Sequence, residues 1–330
     1  MISMKTKLGI VLSIISLLTV DLFSQSTVID DYQKFFAIGK SNNKEIAVIR
    51  KYKEKEKINY LGIGLDDLKT YILNAENAKI TPTPWKTMLE QYDSAPYIKA
   101  IKAAKQKSTS LQNAGIQHGD SKEKGISLTI DLCPSHKPLD RIIFSSIIEE
   151  FKKFKTPEPV ALSITGKFLK THPEDILWLK NETDSGALEI IWINHTYNHK
   201  YDPKLPLDKN FLLEAGTDLD EEILLLEKSL LETNLLPSAF IRFPGLVSDA
   251  KVFNEIIDYG LIPIGSDAWL AKGETAKNGD IVLIHGNGNE PLGVHDFINL
   301  LKKDKDAALK NEWHLYDLRE AVKKEFEKNN

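Results

Sequence analysis

Two histidines four residues apart, His195 and His199 in Asn194-His195-Thr196-Tyr197-Asn198-His199, follow directly on the apolar run 190–193. On a helical turn such residues share a face, so both imidazoles can address one cation, and neutral imidazole suits zinc and its neighbours. By itself the spacing more often marks surface or structural histidines. Asp131 closes the apolar run 126–131, where a carboxylate serves as base or ligand, or as the N-cap of the following turn. Arg242, in Arg242-Phe243-Pro244-Gly245, also ends an apolar run. A buried guanidinium needs an anionic partner, for which Asp131 is the natural candidate. His285 closes the run 281–284 and is placed to give a proton to a leaving group, with a hydrogen-bonded core histidine as the alternative.

The elements that would position these residues are short β-rich runs at 126–131, 160–165, 188–193, 239–242, 261–265 and 281–285. They alternate with helical periodicities, clearest at 219–231, 250–259, 294–301 and 315–326. Strand and helix alternating this often imply a parallel sheet, open or closed as a barrel. Asp131, His195 with His199, Arg242, Asp267 and His285 each stand at or just past the C-terminal end of an expected strand, the edge where α/β folds build their sites. Upstream, residues 27–122 carry an alternating-charge run at 51–57 and a turn-prone Thr-Pro-Thr-Pro at 81–84, but no chemistry. A helix is expected at 85–107, followed by a polar, Gly-containing linker at 108–125.

Composition narrows the class further. Among 330 residues, 42% are hydrophobic and 27% charged, enough for a sizeable core. The formal charge of -4, with both signs interspersed, offers no field to recruit nucleic acid. Lys5 and Lys7 precede the apolar run 8–20, and Ser24 and Ser26 occupy the small positions of a cleavage site, so residues 1–26 read as a secretory signal peptide. Any membrane association would be through this segment as an uncleaved anchor, for which the run is short. Cys133 is the only cysteine, which excludes an internal disulfide. A periplasmic or extracellular location is expected.

Taken together and in this order, the segments resemble the polysaccharide deacetylase family, also called the NodB-homology domain or carbohydrate esterase family 4. The resemblance covers residues 123 to 330. Thr129-Ile130-Asp131-Leu132-Cys133-Pro134 is similar to the first motif, usually Thr-Phe-Asp-Asp-Gly, and His195 with His199 meets the second, His-x-x-x-His. Arg242-Phe243-Pro244-Gly245 resembles the third, Asp267-Ala268-Trp269 the fourth, and the segment ending at His285 the last. The resemblance implies a distorted (β/α) barrel of about seven strands; before it, a separate N-terminal α+β region is expected at 27–122.

It also implies a function, the removal of N-acetyl groups from an envelope or extracellular polysaccharide. His195 and His199 would hold a divalent metal, zinc first, and Asp131, oriented by Arg242, would be the base. His285, steadied by Asp267, would be the acid, and Trp269 would line the pocket for the acetyl methyl. One position departs from the pattern: the family's third metal ligand, the second aspartate of motif one, is Leu132 here. A branch with Asp-x-Cys in motif one looks closer to this chain, and its later aspartate resembles Asp140, the first choice for the missing ligand. Asp131 itself, His136 and Cys133 are the other substitutes, with Cys133 read first as a small buried residue. If none substitutes, the implied alternative is a glycan-binding protein on the same barrel without catalysis. His118, His172, His295 and His314 match no motif.

Overall fold

The structure is a computed structural model that describes residues 27–41, 44–108, 110–120, 124–154 and 157–327. The expected signal peptide lies outside the described residues. Among these, no helix is long and apolar enough to cross a membrane.

Strands β1 (Ile29–Ser41), β2 (Lys44–Glu54), β3 (Lys57–Gly64), β4 (Thr70–Asn74) and β5 (Lys79–Pro82) form an antiparallel sheet in the order β4-β3-β2-β1-β5. The single helix expected at 85–107 is two, α1 (Trp85–Gln91) and α2 (Pro96–Gln106). Pro96 explains the break, because it has no N–H for the preceding turn and drives Ala95 to an extended conformation, φ -68° and ψ 138°.

The second half alternates strand and helix as its periodicities require: β6 (Lys124–Leu132), α3 (Arg141–Phe151), β7 (Glu158–Ile164), α4 (Gly166–Thr171), α5 (Pro173–Asp184), β8 (Leu188–Asn194), α6 (Leu219–Glu232), β9 (Pro237–Ile241), α7 (Ala250–Ile257), β10 (Ile262–Pro263), β11 (Ala268–Trp269), β12 (Ile281–His285), α8 (Pro291–Leu309), β13 (Trp313–Leu315) and α9 (Leu318–Glu327). Every strand pair is parallel, in the order β10-β9-β8-β7-β6-β12-β11, with β13 beside the start of β6. β6 is buried from its second residue onward, as a parallel strand covered on both faces must be, which is why it reads as one apolar run.

β10 and β11 are parts of one run of chain. Residues 262–263 pair with β9 and residues 268–269 with β12, so this run crosses the gap and curls the sheet into a distorted (β/α) barrel. The segment expected to be a linker is instead laced along the crossing. Gln112 bridges to Val247, Ile116 to Ile264 and His118 to Asp280, and Ala114 and Ile116 are buried. Asn113 Oδ1 accepts from the Ser266 N–H at 2.7 Å while its Nδ2 donates to the Ser266 carbonyl at 2.7 Å. A polar side chain here stands in for a strand neighbour, a role that composition alone reads as loop.

The N-terminal sheet shares a core with the barrel, in which Ile49 and Tyr97 pack in one cluster with Phe240, Ile256 and Val322. Within the shared region Arg50 and Glu227 are fully buried and doubly hydrogen-bonded, at 2.6 and 2.9 Å. Arg50 also donates to the carbonyls of Tyr259 and Ile49, and the Tyr32 hydroxyl donates to Glu227 at 2.9 Å. A dry ion pair is tolerable when its hydrogen-bonding groups are answered in this way.

Glu158, at the start of β7, is buried among Ile148, Phe151 and Ala187, and burial pushes its carboxyl up to about 7. The folded state thus holds this proton more tightly than the unfolded chain, whose glutamate titrates near 4.5. Its stabilising contribution is complete below pH 4.5 and is lost as pH rises through 7. Glu158→Gln should therefore stabilise the protein by about 1–3 kcal/mol at pH 8 and by little at pH 4.5. Urea unfolding at the two pH values checks this.

Candidate metal centre and catalytic cleft

The C-terminal ends of β6, β8, β9 and β12 surround a cleft of about 660 Å³ lined by Asp131, Cys133, His199, Trp269, His285 and Glu290, among others. At its floor the Cys133 Sγ and one ring nitrogen each of His195 and His199 lie within 4.8 Å of one another. The two rings are 4.8 Å apart, centroid to centroid, at 65°.

The histidines do not meet through a helical turn, as the spacing suggested. Residues 195–200 are loop, in which Thr196 and His199 take left-handed backbone conformations, φ 67° and 47°. That unusual path is held by side-chain bonds. Asn194 accepts from the Thr196 N–H at 2.9 Å and donates to the Ile223 carbonyl, the Thr196 hydroxyl accepts from the His199 N–H, and buried Glu222 of α6 accepts from the Asn198 N–H at 2.8 Å. Gly166 allows the loop to sit this close, since a Cβ there would come 2.1 Å from the Tyr197 ring.

His195 Nδ1 lies 2.9 Å from the Arg242 carbonyl, which can only accept, so the proton sits on Nδ1 and Nε2 presents a lone pair to the cleft. Nε2 faces Cys133 Sγ at 3.6 Å and Asp131 Oδ2 at 3.8 Å. Burial by itself would push the Cys133 thiol up. The imidazoles of His199, His195 and His285 outweigh it and hold the thiol well below its ordinary value. His199 Nε2 is buried with no well-aligned hydrogen-bond partner among the described residues. Two imidazoles and a thiol poised to ionise, one ring nitrogen unanswered, fit a divalent cation of the zinc type with a position left open toward the cleft.

Asp140 does not take the place expected for it. Its Oδ2 accepts from the Gly288 N–H at 2.7 Å and its own N–H donates to the Gly286 carbonyl at 2.7 Å, which stitches the loop after β6 to the loop after β12. It thereby positions Cys133 and His285 without ligating. His136 is exposed and outside the cluster. The group that does lie beside the two imidazoles is the Cys133 thiol. Strand alternation carried a signal for this, because residues 131 and 133 share a face whereas Leu132 turns into the core at 0% exposure. Asn287 fixes the thiol's backbone, donating to the Cys133 carbonyl at 2.6 Å.

Asp131 and Arg242 come together, both buried, with Nη1 3.4 Å from Oδ1, while Nη2 donates to the Gly265 carbonyl at 2.8 Å. His285 faces the cleft from β12, with Nδ1 2.8 Å from Glu290 Oε2 but out of line for a good hydrogen bond. Burial disfavours its charge, yet neighbouring Cys133 and Glu290 push it up to about 10. Glu290 also accepts from the Trp269 indole at 2.7 Å, and that ring lies 5.8 Å from the His285 ring.

Asp267 is thus not the partner of His285. It precedes β11 and its N–H donates to the Ile281 carbonyl at the start of β12. That level is four residues, about 13 Å, below His285. Its carboxylate is taken by His118 at 2.6 Å. The acid that stands against His285 is Glu290, and it escaped notice because it belongs to a loop that reads only as the lead-in to α8.

No family model matches the sequence. Among solved structures, the chain is similar to a family 4 carbohydrate esterase from Bacillus anthracis, with 21% identity, a TM-score of 0.45, and 67% of this chain and 90% of that chain covered. It is also similar to a CE4 family pseudoenzyme from Bacillus anthracis, at 17% identity, TM-score 0.42, covering 64% of this chain and 70% of that one. A chitin deacetylase from Colletotrichum lindemuthianum matches at 15% identity, TM-score 0.40, covering 62% and 89%.

If the thiol is the third ligand, Cys133→Ala should weaken zinc binding by more than about 100-fold, beyond the usual cost of an outer-shell change. Asp140→Asn should cost no more than about 10-fold. Competition against a chromophoric chelator measures both.

Proposed function

We propose that the chain is a metal-dependent hydrolase that removes N-acetyl groups from an envelope or extracellular polysaccharide. The observation that carries this reading is the convergence in one cleft of the Cys133, His195 and His199 ligand set with a carboxylate on one side and an imidazole on the other. Export, through residues 1–26, belongs to the same proposal. A zinc ion held by these three residues would supply a Lewis acid for the acetamide carbonyl and would ease the loss of a proton from water.

The remaining work falls to the chain's own groups. Asp131, aimed by Arg242, takes the proton from the water that attacks the acetamide carbon. His285 gives a proton to the nitrogen as the C–N bond breaks, so the products are acetate and a free amine. Glu290 holds the His285 ring and balances its charge. Trp269, fixed through its indole N–H, walls the slot for the acetyl methyl. Leu132, whose identity suggested a defunct site, is accommodated because the thiol beside it supplies the anionic ligand.

The test is acetate release from acetylated chitin oligomers and from peptidoglycan by the zinc-loaded protein, with loss of activity on chelation. Asp131→Asn should lower kcat by about 10²- to 10⁴-fold while leaving zinc affinity within a few-fold of the parent. A variant that loses metal and activity together would instead make Asp131 a ligand. Absence of acetate from either substrate, with zinc bound, would sink the proposal.

A further inference from the structure

The walls of the cleft carry a charge that the proposed reaction does not use. Lys167 projects from the first turn of α4, Lys200 from the loop after β8 and Lys272 from the loop after β11, and all three line the cavity and are exposed. Among the described residues the acids that line it with them are Asp131 and Glu290, and each is already engaged, by Arg242 and by His285 with Trp269. Lys167 and Lys200 form no ion pair among the described residues, and Lys272 lies over the Trp269 ring at 4.7 Å. The chain as a whole has a formal charge of -4, so a cationic wall is a local feature rather than a by-product of composition. Three lysines contributed by three separate segments focus a field on whatever enters. Lysine offers point charges on long stems and not a planar fork, which suits carboxylate and phosphate alike.

An apolar platform stands beside them. Tyr201 is 60% exposed, and its ring stacks on Phe211 at 5.2 Å and 19°, leaving one face to the cleft. Gly245, at φ 61°, makes room for Phe211, since a Cβ there would lie 2.5 Å from the ring. Rigid aromatic faces next to charged side chains match a pyranose that has C–H faces and anionic substituents.

We infer that the substrate of this cleft is an N-acetylated glycan bearing anionic groups, carboxylate or phosphate, near the acetamide. Lys167, Lys200 and Lys272 determine that specificity and Tyr201 supports the sugar ring whatever its charge. The inference rests on the deacetylase reading for the identity of the reacting group, but its ionic part is tested by binding alone.

The experiment compares four N-acetylhexosamine tetramers on the zinc-loaded protein by calorimetry: neutral chitin tetramer, a tetramer with lactyl carboxylates on alternate rings, the methyl ester of that compound, and a 6-phosphorylated chitin tetramer. The carboxylated or the phosphorylated tetramer, or both, should bind about 5- to 30-fold more tightly than the neutral one at low salt, with the advantage shrinking at 0.5 M salt. Whichever gains identifies the anion. The ester should fall back to the neutral value. Lys167→Met and Lys200→Met should each remove about 2- to 5-fold of the anionic affinity and none of the neutral, and Tyr201→Ala should weaken all four alike. Equal affinity for neutral and anionic tetramers, or an ester as good as its acid, overturns the inference. Acetate release with equal kcat/KM from neutral and anionic tetramers would leave the deacetylase reading standing and remove this one. Anionic preference in binding with no acetate from any tetramer would do the reverse.

Discussion

A guanidinium shut away from water holds the cleft together. Arg242 ties four elements from one position: its N–H donates to the Asn194 carbonyl at the end of β8, its carbonyl receives the His195 Nδ1 proton, and its side chain reaches Asp131 on β6 and the Gly265 carbonyl in the crossing run. Burial alone disfavours such a charge, and Asp131 opposes that effect. Because both the main chain and the side chain of one residue are committed, the tautomer of His195 and the aim of Asp131 cannot vary independently.

The same dependence explains how the site accommodates Leu132. A carboxylate at that position would have to leave the core face of β6, while Cys133, one step on, already faces the imidazoles. Charge matters as much as reach. Two neutral imidazoles make a weak cation site, and a thiolate adds the negative charge that a carboxylate would otherwise contribute. The loop stitching by Asp140 and Asn287 then has a clear purpose, since it fixes the segment that carries the thiol against the segment that carries His285.

Strand ends and the helices between them were legible in the sequence because parallel strands buried on both faces leave long apolar runs, as at 126–131 and 281–285. The residues on those ends, Asp131, Arg242 and His285, could be named for the same reason. What was not legible depended on pairing rather than period. Asp267 looked like a strand-end acid, but the crossing run meets β12 at its base, and only register shows that. Glu290 and Asn113 act from segments with no periodicity. The α+β character of the N-terminal region was legible, but that its sheet shares the barrel's core was hidden, since nothing in a charge run announces which surface its strand will cover.

The Arg50–Glu227 pair joins residues 177 positions apart in the chain. At elongation rates of about 5–20 residues per second, Glu227 is added about 9–35 s after Arg50. Until then the N-terminal sheet lacks both the surface that covers Arg50 and the carboxylate that answers it. The sheet is thus made before the surface on which it packs. For as long as the barrel takes to appear, the face of the sheet that carries Arg50 stays open to chaperones.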